Sequence, residues 1–316
     1  MTCLGPLALP LIGAPMFLVS HPELVLAQCL AGVVGSFPAL NARPAEQLHA
    51  WLAQISRTLE LAREAAPQRP IAPYAVNLIV HAGNPRLEAD LAACIEFRVP
   101  LIITSLSSPG DLVRRVHAYG GRVFHDVTTA RHAEKALSEG VDGLILVCAG
   151  AGGHGGLLNP FAFTAEVRRF WGGPLVLAGA LTEGRHILAA QVMGADYAYM
   201  GTRFIATREA QASPAYQQAL VDARAADIVY TDYFTGIPGN YLKASLLAAG
   251  LDPAHLPERA RGGAADFGKT AAGEPAKAWR DIWGAGQGVG NIDDVPGVEE
   301  LVNRLKRDYE TAKSRV

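Results

Sequence analysis

The sequence predicts an α/β chain built as a (β/α)8 TIM barrel, with a mostly helical insertion after the eighth strand. Three observations carry this expectation. Short apolar, β-rich runs alternate with longer Ala-, Leu-, Glu- and Arg-rich stretches of helical period, the rhythm of a parallel sheet with crossover helices. Eight such runs are complete by residue 200, matching the roughly 200–250 residues that a barrel of this kind occupies. The first run ends in Gly13-Ala14-Pro15-Met16, with no G-x-G-x-x-G turn, which tells against a doubly wound dinucleotide fold.

The strands are expected at residues 11–18, 32–37, 74–79, 100–105, 122–127, 143–148, 175–178 and 197–200. Helices are expected between them. Residues 44–65 carry Leu48, Trp51, Leu52, Ile55, Leu59 and Leu61 as an amphipathic stripe. Residues 84–97 and 109–119 read as shorter helices. The helix at 129–139 follows a Thr128-Thr129 cap signal, and the one at 182–193 follows a Gly-Ala-Leu turn. From residue 208 the alternation stops. Ala-rich helical pieces, a turn from Thr235 to Gly239 and a Gly/Ala-rich stretch at 262–273 replace it. The expected organisation is therefore a barrel from 1–207 and 284–316, with 208–283 as a helical substrate or lid subdomain. A charged amphipathic helix at 295–316 is expected to close the outer ring.

Composition narrows the function. Of 316 residues, 50% are hydrophobic and 18% charged, enough to bury a large core. The net charge of -2 and the lack of a basic run interleaved with aromatics speak against nucleic acid. Cys3, Cys29, Cys94 and Cys148 are widely spaced, with no CxxC pair, as expected of a chain in a reducing compartment. Pro6, Pro10 and Pro15 interrupt the first apolar stretch, and no basic region precedes it. A cytoplasmic protein without signal peptide or membrane span is expected.

In a barrel the carboxyl ends of the strands build the site. Here they offer Met16, Asn77, Thr104-Ser105, His125-Asp126, Gly179-Ala180 and Gly201-Thr202. The sixth strand opens into Cys148-Ala149-Gly150-Ala151-Gly152-Gly153-His154-Gly155-Gly156. Glycine lets a backbone approach a flat or anionic ligand and take up positive φ. Histidine can serve as acid, base or donor near neutral pH. His154 is thus either a reacting group or a solvated turn residue, and five glycines exceed what a turn alone needs. The loops after strands seven and eight read either as plain barrel turns or as a phosphate site lined by helix-start N–H groups. Asp126 is equally suited to a ligand edge and to capping the next helix. The segment from Trp283 to Asp294 is a second glycine-dense loop, either a linker or a loop that returns to place Gln287 on a ligand. No metal-ligand spacing and no GxSxG elbow occurs, and Cys148 belongs with the core.

These motifs together resemble the nitronate monooxygenase family, formerly called 2-nitropropane dioxygenases, over nearly the whole chain. The resemblance rests on Gly13-Ala14-Pro15-Met16, on the loop from Ala149 to Gly155, on Ala178 to Gly184, on Met200 to Phe204, and on Trp283 to Gln287 with Ile292-Asp293-Asp294. It implies FMN held by Met16, Asn77, Gly150, Gly179, Ala180, Tyr199, Met200, Gly201, Thr202 and Gln287, with His154 as the catalytic histidine. It implies electron transfer from an alkyl nitronate or nitroalkane to FMN, then reaction with O2 to a carbonyl compound and nitrite. The chain departs from the family pattern at Gly179-Ala180, where Gly-Gly is common. It departs again at Asp126, where the related NADH:quinone reductases carry lysine, which weakens a quinone reductase assignment. Two other readings stand beside this one: an NAD(P)H-dependent flavin reductase acting on quinones or enoyl thioesters, and a flavin-binding barrel without catalysis. Exposed Ala and Leu in the insertion permit a homodimer.

Overall fold

The computed structural model describes residues 3–256, 277 and 279–316, so the Gly/Ala-rich stretch at 262–273 lies outside the described residues. Eight parallel strands close on themselves: β1 (Leu11–Gly13), β2 (Gly35–Pro38), β3 (Tyr74–Val80), β4 (Leu101–Leu106), β5 (Arg122–Val127), β6 (Gly143–Val147), β7 (Leu175–Ala178) and β8 (Tyr197–Met200). Each pairs with its sequence neighbour from β2 to β8, and β8 pairs with β1. The Ile12–Val34 bridge completes the ring, with the Gly13 N–H donating to the Val34 carbonyl at 2.7 Å.

Side chains alternate across each strand. One set, including Ile12, Val34, Ile103, Phe124, Ile145 and Val176, fills the barrel. The other set, including Val76, Ile102, Val123, Leu144 and Leu175, packs outward against the helices. Leu4 joins the interior set and the Cys3 thiol lies 3.3 Å from the Tyr197 hydroxyl, so the N-terminal segment plugs the end where the strands begin. Among the described residues no helix is long and apolar enough to cross a membrane.

The first strand is shorter than its apolar run suggests. After Gly13 the chain turns, and the Met16 carbonyl accepts from the N–H groups of Val19 and Ser20. Buried Asn41 clamps this turn. Its side-chain amide donates to the Met16 and Ser20 carbonyls, and its oxygen accepts from the Leu18 N–H at 2.9 Å. Pro15 lacks the N–H that a continued strand would need.

After β8 the helices Pro214–Asp222 and Lys243–Ala248 flank an antiparallel hairpin, Ile228–Thr231 with Gly239–Leu242. This hairpin is not anticipated by the sequence, where four-residue strands leave too short an alternation to read. Its second strand also pairs with Gly153–His154, Gly239 opposite His154 and Asn240 opposite Gly153. The insertion is thereby joined to the histidine loop by main-chain bonds. The closing helix, Val298–Lys313, buries Val298, Leu301, Val302 and Leu305 against Ile187 and the outer faces of β1 and β8.

Candidate active site

At the carboxyl ends of the strands the inward positions change from apolar to polar. Asn77, Ser105, Asp126 and Tyr199 come from β3, β4, β5 and β8. The Asn77 amide donates to the Ile103 carbonyl at 3.2 Å and to Ser105 Oγ at 2.8 Å. Ser105 in turn donates to Asp126 Oδ2 at 2.6 Å. Asp126 Oδ1 and the Tyr199 hydroxyl are buried without a hydrogen-bond partner. Such groups are costly in a finished core and mark a place built to meet something else. Burial pushes the Asp126 carboxyl up to about 7, against the Ser105 bond, which favours the carboxylate. The Tyr199 phenol is driven well above its ordinary value, by burial first and by nearby Asp126 second.

The period of two separates Asp126 from its neighbour. His125 points outward and meets Thr104 Oγ1 at 2.8 Å through Nδ1. Burial, with a smaller contribution from His132, lowers it to about 4. Of that sequence pair only Asp126 faces the barrel interior.

The two glycine-dense loops pack on each other. The Gln287 N–H donates to the Gly150 carbonyl at 2.9 Å, and the Gly286 N–H donates to Thr202 Oγ1 at 2.9 Å. Asn240 of the hairpin donates to the Ala151 carbonyl at 2.6 Å and accepts from the Ala285 N–H at 3.2 Å through its own carbonyl. A Cβ at position 152 would lie 2.8 Å from the Gly286 nitrogen, and one at 286 would lie 2.5 Å from the Gly150 carbonyl oxygen. Part of the glycine content therefore serves backbone-to-backbone contact between loops, a use that the sequence alone does not distinguish from ligand approach.

His154 sits on this assembly. Its Nε2 lies 2.8 Å from Thr235 Oγ1 at the hairpin tip, and the Trp279 ring stands edge-on at 5.2 Å and 81°. Burial lowers its pKa, so the imidazole is neutral at pH 7.

The structure brings most of the expected residues together. A Cβ at Gly201 would touch Ala14 Cβ at 3.5 Å and Met16 Sδ at 3.6 Å, so the ends of β1 and β8 meet. Gly150, Ala180 and Gln287 converge likewise: a Cβ at 150 would lie 2.9 Å from Gln287 Oε1 and 3.4 Å from Ala180 Cβ. Gly179 has φ 135°, and Ala180 has φ 55°, a left-handed conformation costing an alanine about 1–2 kcal/mol. Thr202 accepts from Gly286 and keeps its own hydroxyl proton for another acceptor. Met200 differs. Its side chain is fully buried in the outer layer with Leu9, Leu11 and Phe204, and its carbonyl accepts from the Ala14 N–H at 2.8 Å. Residues not singled out from sequence are Thr235, Trp279 and Asn240. Thr235 lies in a turn that the sequence marks, but nothing local in sequence links it to residue 154.

The nitronate monooxygenase family model matches residues 2–308. The chain belongs to that family. A nitronate monooxygenase from Paraburkholderia phytofirmans is 28% identical, covering 95% of this chain and 92% of its own length. The solved structure of a nitroalkane oxidase from Streptomyces ansochromogenes superposes with TM-score 0.74 at 23% identity, covering 97% of each chain. FabK from Thermotoga maritima superposes with TM-score 0.77 at 22% identity, covering 98% of this chain and 95% of its own. The two structures share the TIM-barrel fold, and family membership makes this protein a flavin-type oxidoreductase.

Proposed function

We propose that this protein is an FMN-dependent nitronate monooxygenase that oxidises alkyl nitronates with O2 to a carbonyl compound and nitrite. The observation that carries the reading is the unpartnered pair, Asp126 Oδ1 and the Tyr199 hydroxyl, beside the hydrogen-bonded Asn77 and Ser105 at the carboxyl ends of the strands. That donor and acceptor set suits the polar edge of an isoalloxazine. Asn77 and Tyr199 would meet the ring system, and Met16 and Gly150 would flank it. Gly179, Ala180, Gly201 and Thr202 would present main-chain amides and one hydroxyl to the phosphate, with Gln287 at the rim. Met200 would contribute only main chain, because its side chain faces the outer layer. FMN, when bound, supplies the electron-accepting and O2-reactive centre.

The chain's own residues orient and exclude. His154, neutral at pH 7, would take a proton from a neutral nitroalkane. Trp279 shields its ring from water on one side. Residues 208–283 would form the substrate-covering subdomain, and its hairpin already reaches His154.

The test is His154→Ala. FMN content should stay at the wild-type level while kcat/KM for nitronate or nitroalkane falls about 100-fold or more. Unchanged turnover would remove His154 from the chemistry. Anaerobic mixing with NADH or NADPH separates the reductase reading: rapid flavin bleaching would favour it, and the present reading expects none.

A further inference from the structure

His154 has two ring nitrogens, and which of them carries the proton decides what the ring can do. The structure constrains this through Thr235. A hydroxyl has one proton to give. The Thr235 hydroxyl donates to the Ile237 carbonyl at 3.0 Å, within the same hairpin tip. It also accepts from the Ile237 N–H at 3.3 Å. The Ile237 carbonyl can only accept, so a Thr235 proton directed to it leaves Thr235 to meet His154 Nε2 at 2.8 Å as an acceptor. That arrangement puts the hydrogen on Nε2. A neutral imidazole with Nε2–H carries its lone pair on Nδ1, and among the described residues Nδ1 has no hydrogen-bond partner.

The surroundings hold this arrangement in place. Residue 154 pairs with Gly239 of the hairpin, whose tip carries Thr235. A Cβ at Gly239 would lie 2.8 Å from the Gly153 carbonyl, so the two strands can approach only with glycine there. The Trp279 ring, itself 5.4 Å from Tyr241, fixes the imidazole plane edge-on. Position, plane and donor nitrogen are thus all set by the insertion rather than by the barrel.

We infer that Thr235 is a positioning residue that locks His154 in the Nε2–H tautomer and leaves Nδ1 as the proton-accepting atom of the site. This rests on His154 being the reacting group proposed above. For a neutral nitroalkane the consequence is explicit. The Cα–H bond breaks, its proton forms a bond to Nδ1, and the electron pair stays on the substrate as the nitronate. A substrate supplied already as the nitronate does not need this step.

The experiment has two parts. Nitrogen-15 NMR of the histidine-labelled, flavin-loaded protein reads the tautomer directly. The expected pattern for His154 is a protonated Nε2 and a bare Nδ1. A proton on Nδ1 would overturn the inference without touching the catalytic assignment. The second part compares Thr235→Val and Thr235→Ser on paired substrates. Thr235→Val should lower kcat/KM for the neutral nitroalkane about tenfold or more and change nitronate turnover by less than about twofold. Thr235→Ser should restore both the rate and the tautomer. Equal losses on both substrates, or no loss on either, would contradict the role given to Thr235. Should Thr235→Val not fold, Thr235→Ser and the wild-type spectrum still decide. Full activity in His154→Ala would instead refute the reading on which the inference rests, whatever the tautomer proves to be.

Discussion

Asp126 and His125 are neighbours on one strand with opposite fates. Asp126, raised to about 7, holds its proton more tightly in the folded chain than in the unfolded one. Its contribution is therefore greatest at low pH and is lost as pH rises through about 7. His125, lowered to about 4, works the other way: its contribution is present above the ordinary histidine value and lost as pH falls towards 4. Between pH 5 and 7 the two oppose each other. Asp126→Asn keeps the shape and can still accept from Ser105, but it has no proton to lose. Urea denaturation of the flavin-free variant should show it gaining about 2–3 kcal/mol on the wild type between pH 5 and pH 8. Parallel curves for the two proteins would show that Asp126 ionises freely in the folded state.

At the scale of elements, the contact between the helices Gly184–Val192 and Val298–Lys313 closes the outer ring. It depends on a missing side chain. A Cβ at Gly184 would lie 2.0 Å from the Leu305 carbonyl oxygen and 2.5 Å from the Tyr309 nitrogen, both backbone atoms of a packed helix. Arg185 N–H donates to Asp308 at 2.9 Å, and Tyr309 donates to Gln191 at 2.7 Å across the same seam. Gly184→Ala should therefore cost about 1–3 kcal/mol by denaturant titration, whereas Gly172→Ala, whose Cβ would meet nothing within 4 Å, should cost under about 0.5 kcal/mol. Equal stabilities would mean that the helices separate without penalty. The same scale shows what the sequence reveals. The barrel strands are legible because their apolar runs and the helical stripe at Leu48, Trp51, Leu52, Ile55 and Leu59 repeat with different periods. The hairpin 228–242 is not, because its strands are four residues long and gain their meaning only from the main chain of residues 153–154.

For the whole molecule, the candidate site is where the barrel's polar layer, the two glycine-dense loops and the insertion converge. Positions on strand ends are readable once the strands are, which brings out Asn77, Asp126 and Thr202. Whether a strand-end residue faces in or out is also readable from alternation, as His125 and Met200 show by facing out. Contacts across long stretches of chain are not readable: Thr235 lies 81 residues from His154, and Gly286 lies 84 from Thr202. Those contacts decide how the imidazole is held. The proposal that joins these parts is an FMN site with His154 at its edge. Its most direct measurement is the visible spectrum of the freshly purified protein, recorded before and after anaerobic addition of an alkyl nitronate. A yellow protein whose oxidised-flavin band bleaches with nitronate is the predicted result. A folded, colourless protein that takes up no added FMN, or a bound flavin that nitronate leaves unchanged, would contradict it.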